Sequence, residues 1–189
     1  MSSFETIFAN GGLTEFILKN INDPWENTLF AGYVHMSPKQ KGELGERFAT
    51  ELLKNAGHTV LNAPTSTSGF DRFVDNKKCE IKFSLAMKNR NGGTNRDSFM
   101  INHVSKNKSW DFLLFIGINE NEQDMRILWF TKEDFTNNLS TSPFNVQQGG
   151  KKEDKSIEND DFMCTNIPRL MECEWVHGNM NSLKTILFS

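Results

Sequence analysis

Glu80 and Lys82 stand two residues apart in an otherwise apolar alternation, Cys79-Glu80-Ile81-Lys82-Phe83, and Asp71 precedes Glu80 by nine residues. In an extended strand Glu80, Lys82 and Ser84 share one face, and Cys79, Ile81 and Phe83 share the other. If Asp75-Asn76-Lys77 turns the chain back, Asp71 and Glu80 come to the ends of adjacent strands. Two carboxylates so placed repel, and at a core edge they are costly unless a cation joins them. Mg²⁺ is the natural candidate, because it takes hard oxygen ligands and keeps several waters. Lys82 could then orient or deprotonate an attacking water, or neutralise charge building on a phosphate. The chemistry suggested is metal-assisted hydrolysis of a phosphodiester. The pattern Asp-x(n)-Glu-x-Lys is weak by itself, and the competing reading is an ordinary Glu–Lys pair on a surface strand.

The elements around these residues must position them. Pro38 to Ala56 carries the strongest helix signal, with Ser37 suited to cap it, Pro38 to its first turn and Gly57 to its exit. At about 100° per residue, Leu44, Phe48, Ala49, Leu52, Leu53 and Ala56 fall on one half of the helix. Glu46 lands at the edge of that apolar arc and Glu43 nearly opposite its centre. Glu46 is therefore the favoured helix carboxylate for a site beside the core, and Glu43 the second choice. Expected strands are His58 to Ala63, Phe70 to Val74 and Lys78 to Ser84. Ser98 to Asn107 is expected to be a helix, Asp111 to Ile118 a buried central strand, and Met125 to Phe130 its hairpin neighbour. Thr131 opens a further helix with Asp134 three residues on. Met171 to Val176 reads as a late strand before a C-terminal helix. Short helical stretches, Phe4 to Ala9 and Leu13 to Asn20, are expected near the N-terminus. This order indicates an α/β protein built on a central mixed β-sheet flanked by helices.

Composition bounds the function. The chain has 189 residues, sixteen Phe and four Trp, enough for a single domain with a proper core. Three cysteines with no CxxC read as reduced thiols, and Cys164, Cys173 and His177 lack both the spacing and the fourth ligand of a zinc site. His58 and His103 have no accompanying nucleophile pattern and read as structural or DNA-facing. No apolar run is long enough to span a bilayer, and no signal-peptide pattern opens the sequence, so a cytoplasmic protein without a membrane partner is expected. Net charge is −3, unevenly spread. Residues 36–108 carry 13 basic against 7 acidic side chains, a net +6, whereas residues 109–189 carry 7 against 13. The basic middle third, which contains the Glu-x-Lys strand, suits a polyanion.

The span KGELGERFATELLKNAGHTVLNAPTSTSGFDRFVDNKKCEIKFS, Lys41 to Ser84, resembles the core of the PD-(D/E)xK nuclease superfamily. A helix Glu, an "LL…G" run, a strand, a Gly/Ser-rich loop before Asp, and Glu-x-Lys occur in that order. Archaeal Holliday-junction resolvases show a similar KG…ER…LL…G run. Residues 98–136, which include WFTKEDF, resemble more loosely the region after the catalytic strand in type II restriction endonucleases.

This resemblance implies a restriction-endonuclease-like core with Asp71 and Glu80 as metal ligands, Lys82 as the water-positioning base and Glu46 as an auxiliary ligand. It implies Mg²⁺ as cofactor and double-stranded DNA as partner. The expected activity is sequence-specific type II cleavage to 5′-phosphate and 3′-OH ends. A structure-selective nuclease, such as a junction resolvase or repair enzyme, is the alternative. A homodimer on a palindromic site is expected, a monomer being the other possibility. One domain is read over 1–189, with an N-terminal extension at 1–36, a catalytic core at 37–136 and a DNA-recognition segment at 137–189. Residues suited to base edges and phosphates are Arg90, Asn91, Asn95 and Arg96 in the loop after the catalytic strand, and Gln147, Gln148, Lys151 and Lys152 in a long polar loop.

Overall fold

The computed structural model describes residues 23–89, 91, 93–120, 124–147, 160–178 and 183. Helix α1, Pro38–Asn55, starts from a full capping box: the Ser37 hydroxyl accepts from the Gln40 N–H, and the Gln40 side chain accepts from the Ser37 N–H. It ends at Gly57, whose φ of 86° allows the His58 N–H to return to the Leu53 carbonyl.

Five strands follow as one mixed sheet in the order β1-β2-β3-β5-β6: β1 Val60–Asn62, β2 Arg72–Val74, β3 Lys77–Leu85, β5 Phe112–Ile118 and β6 Met125–Thr131. Only β3 and β5 run parallel. β5 is buried at every position, as suits a central strand. β2 and β3 form a hairpin through Asp75 and Asn76, both at positive φ, the geometry of a two-residue turn matched to strand twist. The Asp75 carboxylate locks that turn by accepting from the Thr59 N–H and contacting His58 Nδ1 at 2.6 Å. The Thr131 hydroxyl caps α2, Lys132–Asn138, by accepting from the Asp134 N–H.

Two sequence expectations fail. Ser98 to Asn107 is not a helix; it contains β4, Ile101–Val104, which pairs with β8, Phe162–Cys164. β8 also pairs with β7, Asn145–Val146, to make a second, three-stranded sheet. The Phe99, Ile101 and Val104 spacing fits a helix or a strand, and a partner some 60 residues away decides between them. Met171 to Val176 is not a strand either. Asn166 caps a short helix, α3 (Ile167–Met171), by accepting from the Arg169 N–H, and turns follow until a single bridge joins His177 to Trp129. Met171 ends this helix, and the residues after it turn back through the Glu172, Cys173 and Val176 N–H groups. The helical stretches expected at Phe4 to Ala9 and Leu13 to Asn20 lie outside the described residues.

The core lies on both faces of the large sheet. On one, α1 approaches β3 so closely that a Cβ on Gly45 would sit 2.3 Å from Phe83 Cβ, so only glycine fits there. Phe48, Phe30 and Tyr33 ring Phe83, with Trp25 against Phe30. A chain of aromatic contacts, Phe130, Phe135, Phe144 and Phe162, binds β6 and α2 to the second sheet.

Candidate active site

β3 positions the chemistry through its register. Arg72, the first residue of β2, faces Cys79, and Asp71 just before it is held against the same stretch of β3, beside Glu80. The Asp71 N–H donates to the Cys79 carbonyl at 2.9 Å, and Asp71 Oδ2 accepts from the Ile81 N–H at 2.7 Å. Glu80, with a side chain only 5% exposed, meets Lys82 Nζ at 2.9 Å through Oε1. The close fit of Gly45 on Phe83 brings the neighbouring Glu46 to the same place. Glu46 Oε2 accepts from Arg72 Nη1 at 2.9 Å, while Arg72 also donates to the Thr50 hydroxyl and the Asp71 carbonyl. Glu43 instead points outward and pairs with Arg47.

Glu46, Asp71, Glu80 and Lys82 all line one cleft of about 630 Å³. Its walls come from the segment before α1, through Trp25 and Tyr33, and from β4, through Asn102. Lys41, Lys88 and Lys108 line it as well, so four lysines face three carboxylates. Lys41 Nζ lies 5.0 Å from the Tyr33 ring centre, and burial pushes the Tyr33 hydroxyl up to about 12.

The Asp71 carboxyl is pushed up to about 6. Burial is the main cause, and the Glu80 charge adds to it; the Ile81 N–H pulls the other way, Glu46 pushes up again, and Lys82 opposes. The Cys79 thiol is raised by burial and by the same two carboxylates. At Asp71, burial and the neighbouring carboxylates thus outweigh what the Ile81 N–H and Lys82 supply. Among the described residues no three carboxylate, thiol or imidazole groups converge as a metal cage. Among the described residues the donors that fit a cation are two, Asp71 and Glu80. That set suits Mg²⁺, which binds through one or two carboxylates and waters. Glu46 is engaged by Arg72 and borders the pair.

The expected DNA contacts are dispersed. Arg90, Gln148, Lys151 and Lys152 lie outside the described residues. Asn91 and Asn95 are in the loop after β3, where the Asn89 side chain donates to Asn95 and accepts from the Asn91 N–H. Arg96 is 66% exposed yet ion-paired to Asp124 at 2.5 Å. Gln147 accepts from the His103 N–H at 2.7 Å. None of these four lines the cleft. Arg72, Lys41, Asn102 and Lys108 also belong to the site or its rim; only Lys41 falls within a motif, the KG…ER run, which gives it no role. Arg72 alone could have been read, since it adjoins Asp71 on a strand facing the helix.

No protein-family model and no curated protein sequence matches the chain. Among solved structures, the chain is similar to a bacterial homing endonuclease, I-Ssp6803I, at 15% identity over 81% of this chain and 95% of that one, with a TM-score of 0.43. No helix among the described residues is long and apolar enough to cross a membrane.

Proposed function

We propose that this chain is a divalent-cation-dependent DNA endonuclease. The observation that carries the reading is that Asp71, bonded to the Ile81 N–H, and Glu80 sit side by side where β2 ends against β3, with Lys82 Nζ 2.9 Å from Glu80, inside a lysine-rimmed cleft. Asp71 and Glu80 would hold the cation, Mg²⁺ by preference, with Glu46 as an auxiliary ligand once free of Arg72. The cation would supply charge neutralisation at the phosphate and a more acidic water.

The chain's own groups do the rest. Lys82, 16% exposed, reaches the cleft from the same strand face as Glu80 and, as an ammonium, orients the attacking water and offsets charge building on the phosphate, the water's proton passing to solvent. Water attacks the phosphorus, the P–O3′ bond breaks, and the 3′ oxygen leaves with a proton, giving 5′-phosphate and 3′-OH ends. Lys41 and Lys88 at the rim draw the DNA backbone in. Sequence-specific cleavage of the type II kind and recognition of branched DNA share this chemistry, and the choice of substrate separates them.

The test is incubation of the purified protein with a large unmethylated DNA, with Mg²⁺ or chelator, followed by sequencing of the ends. Discrete Mg²⁺-dependent fragments sharing one end sequence support the restriction reading. Cleavage of a four-way junction but not of linear duplex moves the protein to the resolvase class. Silence on both overturns the nuclease reading.

A further inference from the structure

Lys108 reaches the site from a loop with no catalytic motif. Its Nζ lies 3.6 Å from Glu80 Oε1, the oxygen that Lys82 already meets at 2.9 Å. One buried carboxylate oxygen therefore has two ammonium partners, and the second is the more weakly held.

The backbone carrying Lys108 is fixed on three sides. The Ser105 hydroxyl accepts from the Asn107 and Lys108 N–H groups and donates to Asp160 Oδ2, while Asp160 Oδ1 accepts from the Asn107 N–H at 3.0 Å. The Ser109 hydroxyl donates to the Ser68 carbonyl at 2.8 Å, and Lys132 Nζ donates to the Lys108 carbonyl. Gly69, at φ 75°, is needed beside it, since a Cβ there would crowd Ser109 N and Oγ at 3.2 Å. A rigid loop thus presents a long side chain, 45% exposed, across the cleft mouth to the catalytic carboxylate.

We propose that Lys108 is a substrate-phosphate ligand that rests on Glu80 in the free protein and transfers to a phosphodiester oxygen when Glu80 engages a divalent cation. The proposal rests on the nuclease reading above. Its physical basis is charge: with Glu80 neutralised by a cation, the ammonium loses its counter-ion, is repelled by the like charge, and finds a phosphate in its place. Lys82, closer to Glu80 and more buried, stays with the strand.

The experiment measures binding of the full chain to a mixed-sequence DNA duplex across a KCl series, once with Ca²⁺ and once with EDTA. With Ca²⁺, Lys108→Ala should make the slope of log K against log [KCl] shallower by about 0.9, the loss of one phosphate contact, and Lys108→Arg should restore it. With EDTA, Lys108→Ala should leave the slope unchanged, because Lys108 is then still on Glu80. If the wild type binds and Lys108→Ala keeps its slope with Ca²⁺, the Lys108 assignment is overturned while the nuclease reading stands. An equal loss of slope in both buffers overturns the transfer from Glu80. Absence of wild-type binding in both buffers overturns this proposal together with the reading beneath it.

Discussion

Two clusters of acidic and basic side chains in this molecule settle their charges in opposite ways. Around Asp97, burial raises the carboxyl, but the Asn119 amide and the Arg126 guanidinium, helped by Arg96, hold it below the usual carboxylate range. Asp124 shares the same two arginines. This knot ties the loop after β3 to the β5–β6 hairpin, and its charges are matched within it. Around Asp71 the balance fails: burial and the Glu80 charge outweigh the Ile81 N–H and Lys82. A matched cluster stabilises a fold, whereas an unmatched one stores electrostatic cost that a ligand can relieve.

The largest effects should separate the clusters by activity. Asp71→Ala or Glu80→Ala should lower Mg²⁺-dependent DNA cleavage by at least about 10³-fold, the scale of removing a principal electrostatic contributor. Asp97→Asn should leave the cleavage rate within about threefold at a temperature where the protein is folded. Cleavage kinetics on one plasmid substrate check all three. Lys82→Ala comes next, at about 10²–10³-fold, the range for losing one positioned donor at developing charge. If Asp97→Asn proved as damaging as Asp71→Ala, the contrast between the clusters would collapse.

Stability should then show opposite signs. Asp71 has a folded pKa of about 6 against an ordinary 3.8, so the folded protein binds its proton more tightly than the unfolded chain. Its contribution is full below pH 3.8 and is lost as pH rises through 6. Asp71→Asn should therefore stabilise the cation-free protein at pH 8, by on the order of 2 kcal/mol, and leave it nearly unchanged at pH 4. Asp97, held low, contributes above the ordinary carboxylate pKa and loses that as pH falls through its lower folded value. Asp97→Asn should destabilise at pH 8, by on the order of 1–2 kcal/mol through its lost charged hydrogen bonds. Urea melts at the two pH values check both signs. The packing beneath the site admits a further test. Gly45→Ala, with its Cβ driven onto Phe83, should cost about 1–3 kcal/mol and raise the KM for DNA as α1 and Glu46 shift.

The convergence of the candidate site's residues was more legible in the sequence than the pairing of the region around it, for a physical reason. Asp71, Glu80 and Lys82 are placed by a two-residue turn and a period-two strand, both written in local residues. Glu46 follows from helical spacing, and α1 from its cap. What local pattern does not encode is pairing at long range. β4 is a strand because β8 lies beside it, and Arg96 and Gln147, chosen as DNA contacts by residue type, are occupied by Asp124 and His103. Lys108 enters the cleft only because Asp160 and Ser68 hold its loop there.

The central claim is that the unmatched Asp71–Glu80 pair seats a cation, and a Mn²⁺ titration followed by calorimetry at pH 7.5 addresses it most directly. Saturable binding by the wild type, lost in Asp71→Asn and retained in Asp97→Asn, is the predicted result. Binding that survives Asp71→Asn unchanged, or no binding by the wild type, would contradict it.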